Sequence, residues 1–190
     1  GMDGGTSVAR VLAGDVNPSG KLPIHFPKDE RSLYPFENKG KVFKIEGFHG
    51  YRYADARKLP CLFPFGFGLS YTTFKYANAQ VAKAPADKGG ELVVTVDVTN
   101  TGGRSGEEVV QLYVAAPGRA VPRAPKELKG FKRVALSPGE TKTVAIKVLA
   151  EKLCYWDTEA NGWKLEPGDY RALVGPSSRD EDLLGGGFRV

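Results

Sequence analysis

Any catalysis or metal binding in this 190-residue chain would be built from two histidines, two cysteines and 22 carboxylates. His25 and His49 stand alone in the sequence, without a Ser/Asp pair or a partner at metal-ligand spacing, which predicts structural roles for both. Cys61 ("PCLF") and Cys154 ("LCYW") belong to no CxxC or Cys/His cluster, so the spacing argues against a zinc site. Their apolar and aromatic flanks predict buried free thiols rather than a disulfide. Asp15 sits in a turn, Glu46 and Asp55 flank an aromatic segment, and Glu107–Glu108 open a strand pattern. Each is expected to be a cap, turn or solvated surface group. No cofactor or metal is implied.

Two aromatic clusters remain. In "GYRY" (50–53), an extended reading puts Tyr51 and Tyr53 on one side and Arg52 on the other. Aromatic rings stack on sugars, so Tyr51, Arg52 and Tyr53 are the substrate-rim candidates. Interdomain packing, with Arg52 paired to a carboxylate, is the favoured role. Trp156 and Trp163 flank a hairpin-like turn, where packing in or at the edge of a β-sandwich is favoured over a sugar platform.

The elements that would position these groups change texture along the chain. "GTSVARVLA" (5–13) spaces Val8, Val11 and Leu12 at i, i+3, i+4, which predicts a short helix with one buried face, capped by Thr6 or Ser7 and ended by Gly14. "GDVNPSGKLP" (14–23) is dense in turn residues, and "KLPIHFP" after it reads as an edge strand with Leu22, Ile24 and Phe26 on one face. Residues 28–70 are aromatic and weakly periodic, with Tyr34, Phe36, Phe43, Phe48, Phe63, Phe65 and Phe67 beside the two tyrosines. Such a load predicts a segment wrapped over a surface that this chain does not wholly contain.

From residue 71 the pattern is all-β. "ELVVTVDVTN" turns Leu92, Val94, Val96 and Val98 to one face, and "EEVVQLYVAAP" does the same with Val110, Leu112 and Val114. About seven short strands, separated by "NTGG", "SPGE", "EANG" and "EPGD", predict a fibronectin type III-like or immunoglobulin-like sandwich. The expected fold class is mainly β: a fibronectin type III-like sandwich preceded by a remnant of an α/β domain and a connecting segment.

Hydrophobic residues make up 41% of the chain, enough for a packed core. The net charge of +5 is spread without a basic tail, which argues against nucleic-acid binding. No apolar run reaches the roughly 20 residues of a membrane span. "GMDGGTSVAR" does not read as a signal peptide.

Taken in order, "GMDGGTSVARVLAGDVNPSGKLPIHFP", "EGFHGYRYADARKLPCLFPFGFGLSYTTFKY", "VTNTGGRSGEEVVQLYV", "KELKGFKRVALSPGETKTVAIKV" and "EPGDYRALVGPSS" resemble the C-terminal portion of glycoside hydrolase family 3, the β-glucosidase and β-xylosidase family. The resemblance implies residues 1–27 as the end of an α/β sandwich domain, 28–70 as a connecting segment and 71–190 as a fibronectin type III-like domain. It also implies a retaining β-glycosidase whose nucleophile and acid/base lie in a barrel and an earlier part of the sandwich domain. No catalytic residue is therefore carried onto this chain, which is expected to be inactive alone. Its expected partners are those missing domains and, through them, a β-glucoside or β-xyloside. A secreted or periplasmic location is the family expectation.

Overall fold

The computed structural model describes residues 2–35, 39–40, 47–118 and 120–190. Phe36, Phe43 and Glu46 lie outside the described residues.

The first part of the chain carries helix α1 (Gly4–Leu12), the two-residue strand β1 (Phe26–Pro27), helix α2 (Tyr51–Arg57) and strand β2 (Cys61–Phe63). Four findings here differ from the sequence expectations. First, α1 buries no residue: Val8 is 59% and Leu12 77% exposed, and of its apolar stripe Val11 alone is half-buried against the described residues. Second, Asp3 occupies the N-cap position and no side chain caps the helix. Gly14 does follow its end, at a φ of 80° that L side chains rarely adopt. Third, only Phe26 and Pro27 of "KLPIHFP" form strand, paired antiparallel with β2, and Ile24 and Phe26 are exposed. Prolines on both sides of the stretch deny it ladder hydrogen bonds. Fourth, "YRYADAR" is helical rather than extended. Gly50, at φ 61°, turns the chain into it.

The rest is the sandwich. Its strands are β3 (Phe74–Lys83), β4 (Glu91–Asn100), β5 (Gly106–Ala115), β6 (Glu127–Leu136), β7 (Thr141–Leu149), then a small hairpin, β8 (Tyr155–Asp157) and β9 (Gly162–Lys164), then β10 (Asp169–Gly175) and β11 (Leu184–Arg189). One sheet runs β3-β4-β7 and the other β11-β10-β5-β6, all antiparallel between neighbours. These seven strands are the mainly β, fibronectin type III-like architecture the sequence predicts.

The period-two pattern fixes which face is buried, because a one-residue slip would turn every side chain outward. Leu92, Val94, Val96 and Val98 of β4 are at most 2% exposed, as are Val110, Leu112 and Val114 of β5. Val144, Ile146 and Val148 of β7 register against Val96, Val94 and Leu92, and with Tyr170, Ala172 and Val174 of β10 they close the core. At the end of β4, fully buried Asn100 organises the "NTGG" turn. Its Oδ1 accepts from Thr72 Oγ1 at 2.6 Å and Gly102 N at 3.1 Å, and its Nδ2 donates to the carbonyls of Arg104 and Leu136.

Candidate functional site

Helix α2 brings the chemically capable residues of the aromatic stretch before the sandwich against it. Tyr51, Ala54 and Asp55 sit at i, i+3, i+4 and form its inner face. The Tyr51 ring stacks on Phe65 with centroids 4.5 Å apart and meets Tyr113 edge-on. Its hydroxyl accepts the backbone N–H of Leu128 at the start of β6, at 2.9 Å. Burial pushes the Tyr51 phenol up from its ordinary pKa. Arg52 reaches Glu127 at 3.2 Å, the carboxylate pairing the sequence favoured. Tyr53 faces the other way, packed on Tyr34 with the Arg57 guanidinium over its ring. The helical geometry thus separates Tyr51 from Tyr53, where an extended segment would have put them side by side.

Two ionic groups that the motif reading overlooked hold this helix down. Lys126, with a side chain only 3% exposed, places Nζ 2.8 Å from both Asp55 Oδ2 and Asp180 Oδ1. Glu127 takes Arg52, Arg123 and Lys129 at 3.2, 3.5 and 3.1 Å. Burial works against the charged form of Glu127, but Lys129, Arg123 and Arg52 together outweigh it and hold the carboxyl below its ordinary range. For Asp55 burial dominates, and its pKa lies above the usual aspartate value despite Lys126.

A second seam lies beside the first. Gln111 of β5 donates to the carbonyls of Gly66 at 3.0 Å and Pro176 at 2.6 Å, and accepts from the Tyr113 hydroxyl. A Cβ on Gly66, whose φ is 78°, would fall 2.0 Å from Gln111 Oε1, so this close approach requires glycine. The turn "GDVNPSGKLP" is anchored too. Asn17 accepts from Ser70 Oγ and Tyr71 N and donates to Ser105 O, while Arg104 donates to Gly14 O. The signal for these contacts was the residue types in the turns. Their partners are 53 to 90 residues away, beyond any local pattern.

The carboxylates weighed for catalysis are otherwise committed. Glu108 is paired with Lys21 at 2.8 Å and accepts from Tyr76, Glu107 is paired with Arg133, and Asp15 is exposed. Asp55 and Asp180 are bridged by the Lys126 ammonium, 2.8 Å from an oxygen of each. Among the described residues no group of His, Cys, Asp and Glu is arranged to hold a metal ion. His25 is half-buried beside Asp55; burial lowers its pKa and Asp55 partly opposes this. His49 is exposed. Both cysteines are free, but only Cys154 is buried; Cys61 is exposed because β2 pairs with a two-residue strand at the surface. Trp156 and Trp163 are cross-strand partners of the β8–β9 hairpin, 45% and 56% exposed, outside the core.

Comparison with known proteins agrees with this arrangement. Residues 1–71 match the glycosyl hydrolase family 3 C-terminal domain and residues 108–178 the fibronectin type III-like domain. A β-glucosidase of Rhizobium radiobacter is 43% identical over 190 residues, covering 95% of this chain and 23% of that protein. A β-xylosidase of Formosa agariphila is 45% identical over 183 residues, covering 96% of this chain and 25% of that protein. The crystal structure of a β-D-glucoside glucohydrolase from Trichoderma reesei superposes with a TM-score of 0.89 at 32% identity, over 99% of this chain and 29% of that one. The chain spans about a quarter of the length of the curated relatives it matches.

Proposed function

The chain belongs to glycoside hydrolase family 3 as its C-terminal portion, and from that premise we propose that it is the non-catalytic buttress of a retaining β-glycosidase. The whole protein removes terminal β-linked glucose from oligosaccharides or glucosides. β-Xylosides are the alternative substrate, since relatives named for either sugar are comparably similar. Retention needs a nucleophile and an acid/base about 5–5.5 Å apart, and both are supplied by the barrel and α/β sandwich domains, outside this chain. Residues 1–27 are the end of that α/β domain, 28–70 connect it, and 71–190 form the fibronectin type III-like domain.

The observation that carries this reading is a contrast between two surfaces. The inner side of the described residues before the sandwich is tied to it by Asn17, Tyr51, Asp55 and Gly66. The outer side exposes Val8, Leu12, Ile24, Leu33, Leu62 and Leu69, each more than half accessible. A surface so apolar is expected to be covered, and the remaining domains of the same enzyme are the natural cover. Tyr53, half-buried on that outer side with Tyr34 and Arg57, is then the residue of the "GYRY" motif nearest a domain boundary. Tyr51 and Arg52 serve packing.

The test is hydrolysis of nitrophenyl β-glucoside and β-xyloside by the purified chain, with intact mass measured on the same sample. No turnover at a mass of 20.5 kDa is expected. Turnover at that mass would overturn the non-catalytic assignment. A second reading, a carbohydrate-binding module, is favoured by one observation, the two exposed tryptophans.

A further inference from the structure

β6 and β7 are edge strands of their respective sheets and lie on the same side of the sandwich. Two adjoining grooves run along that side. The first is lined by Lys88, Arg123, Lys129, Lys152, Tyr155 and Trp163, with Glu127 and Glu151. The second shares Lys129 and Lys152 and adds Phe131, Lys132 and Lys147. Trp163 and Phe131 are 56% and 68% exposed.

The charge there is unbalanced. Glu127 is already claimed by Arg52, Arg123 and Lys129. Arg123 is nine-tenths buried, pairs with Glu127 at 3.5 Å and donates from Nη2 to the Leu153 carbonyl at 3.2 Å; its Nη1, without a hydrogen-bond partner among the described residues, is buried away from the groove. The guanidinium charge is therefore answered, and the groove cations outside the Glu127 pairings are Lys88 and Lys152. Lys88 Nζ donates to the Trp163 carbonyl at 3.1 Å, which holds a second cation beside the exposed indole. Lysines on edge strands also prevent edge-to-edge pairing. That accounts for Lys132 and Lys147, but for neither Lys88 and Lys152, which lie off those strands, nor the exposed aromatics.

We propose that this face binds an acidic glycan: neutral sugars that stack on Trp163 and Phe131, bearing a uronic-acid carboxylate received at the Lys88 and Lys152 end. Stacked rings interrupted by cations suit such a chain. Glu127 and Glu151 in the same groove disfavour a closely spaced polyphosphate, so a sparsely charged glycan fits better than a nucleic acid. The inference rests on the reading of the parent protein as a glycosidase.

Trp163 lines the groove and meets Trp156, the one other tryptophan of the sequence, edge-on at 5.5 Å, so intrinsic fluorescence reports on ligand at Trp163 and titration calorimetry reads binding independently of it. The full chain is titrated at low salt with a xylo-oligosaccharide carrying one glucuronic-acid branch, with its unbranched counterpart, and with a short DNA duplex. A saturable change is expected for the acidic oligosaccharide, about tenfold tighter than for the neutral one. Binding read by calorimetry should be lost in Trp163→Ala and weakened about threefold or more in Lys152→Ala. Both side chains are exposed, and circular dichroism checks that the variants fold. No response, equal response to both oligosaccharides, or equal or tighter binding of DNA overturns the proposal. Hydrolysis of nitrophenyl glycosides by the full-length protein is scored separately. Hydrolysis without glycan binding removes only this inference; no hydrolysis removes the glycosidase reading whatever the fluorescence shows.

Discussion

Lys126 and Glu127, adjacent at the start of β6, do opposite electrostatic work on the same helix. Lys126 is a nearly inaccessible cation between Asp55 and Asp180, and its loss leaves Asp55 partly buried without a partner. Lys126→Met is expected to destabilise the chain by about 3 kcal/mol in urea unfolding. Asp180→Asn should cost less than about 1 kcal/mol, because Asp180 is 79% exposed and water replaces the bond. Similar losses in the two variants would show that the ammonium is not a buried tie. Glu127 makes a pH prediction. Its folded pKa is depressed, so its stabilisation is fully present above the ordinary glutamate value of 4.5 and fades as pH falls through the lower folded value. Melting temperatures between pH 6 and 3 should fall less steeply in Glu127→Gln than in the parent chain, and parallel curves would contradict that origin. At this scale the sequence showed residue types but not partners. "PKELKG" reads as a surface stretch until α2 is laid over it.

Between residues and the whole, α2 shows how an element can be misread. Two tyrosines around an arginine suit an extended strand by propensity. Yet Tyr51, Ala54 and Asp55 already carry helical spacing, and Ala54 is buried at 6% exposure. Contact with Phe65, Leu128 and Lys126 selects the helix, so tertiary packing overrides local preference here. Helix α1 is the reverse case: its spacing was legible, but what covers it was not. Nine residues with no buried side chain form a marginal helix. Hydrogen exchange on the isolated chain should therefore find α1 nearly unprotected while β4 and β5 exchange slowly. Strong protection across α1 without any partner would mean that its exposed stripe is not waiting for the rest of the protein.

Over the whole molecule, a β-sandwich with a closed core carries a preceding stretch of short helices and strands. The sandwich closes its own core and has the means to stand alone; of the described residues before it, Asn17, Tyr51, Asp55 and Gly66 bond to it while Val8, Leu12, Ile24, Leu33, Leu62 and Leu69 are exposed. That asymmetry is why catalysis is assigned to the rest of the protein and why absence of turnover by this chain is the expected result. Alternating valines and leucines determined the sandwich from the sequence alone, because period-two burial is a property of the strand itself. The order of the motifs likewise determined the family. Only the tertiary structure decided that "GYRY" is helical, that Lys126 and Gln111 clamp the connecting segment, and that both tryptophans face outward. Each of those facts depends on groups far apart in the chain, and a local pattern records what a residue prefers, not what the fold brings to meet it.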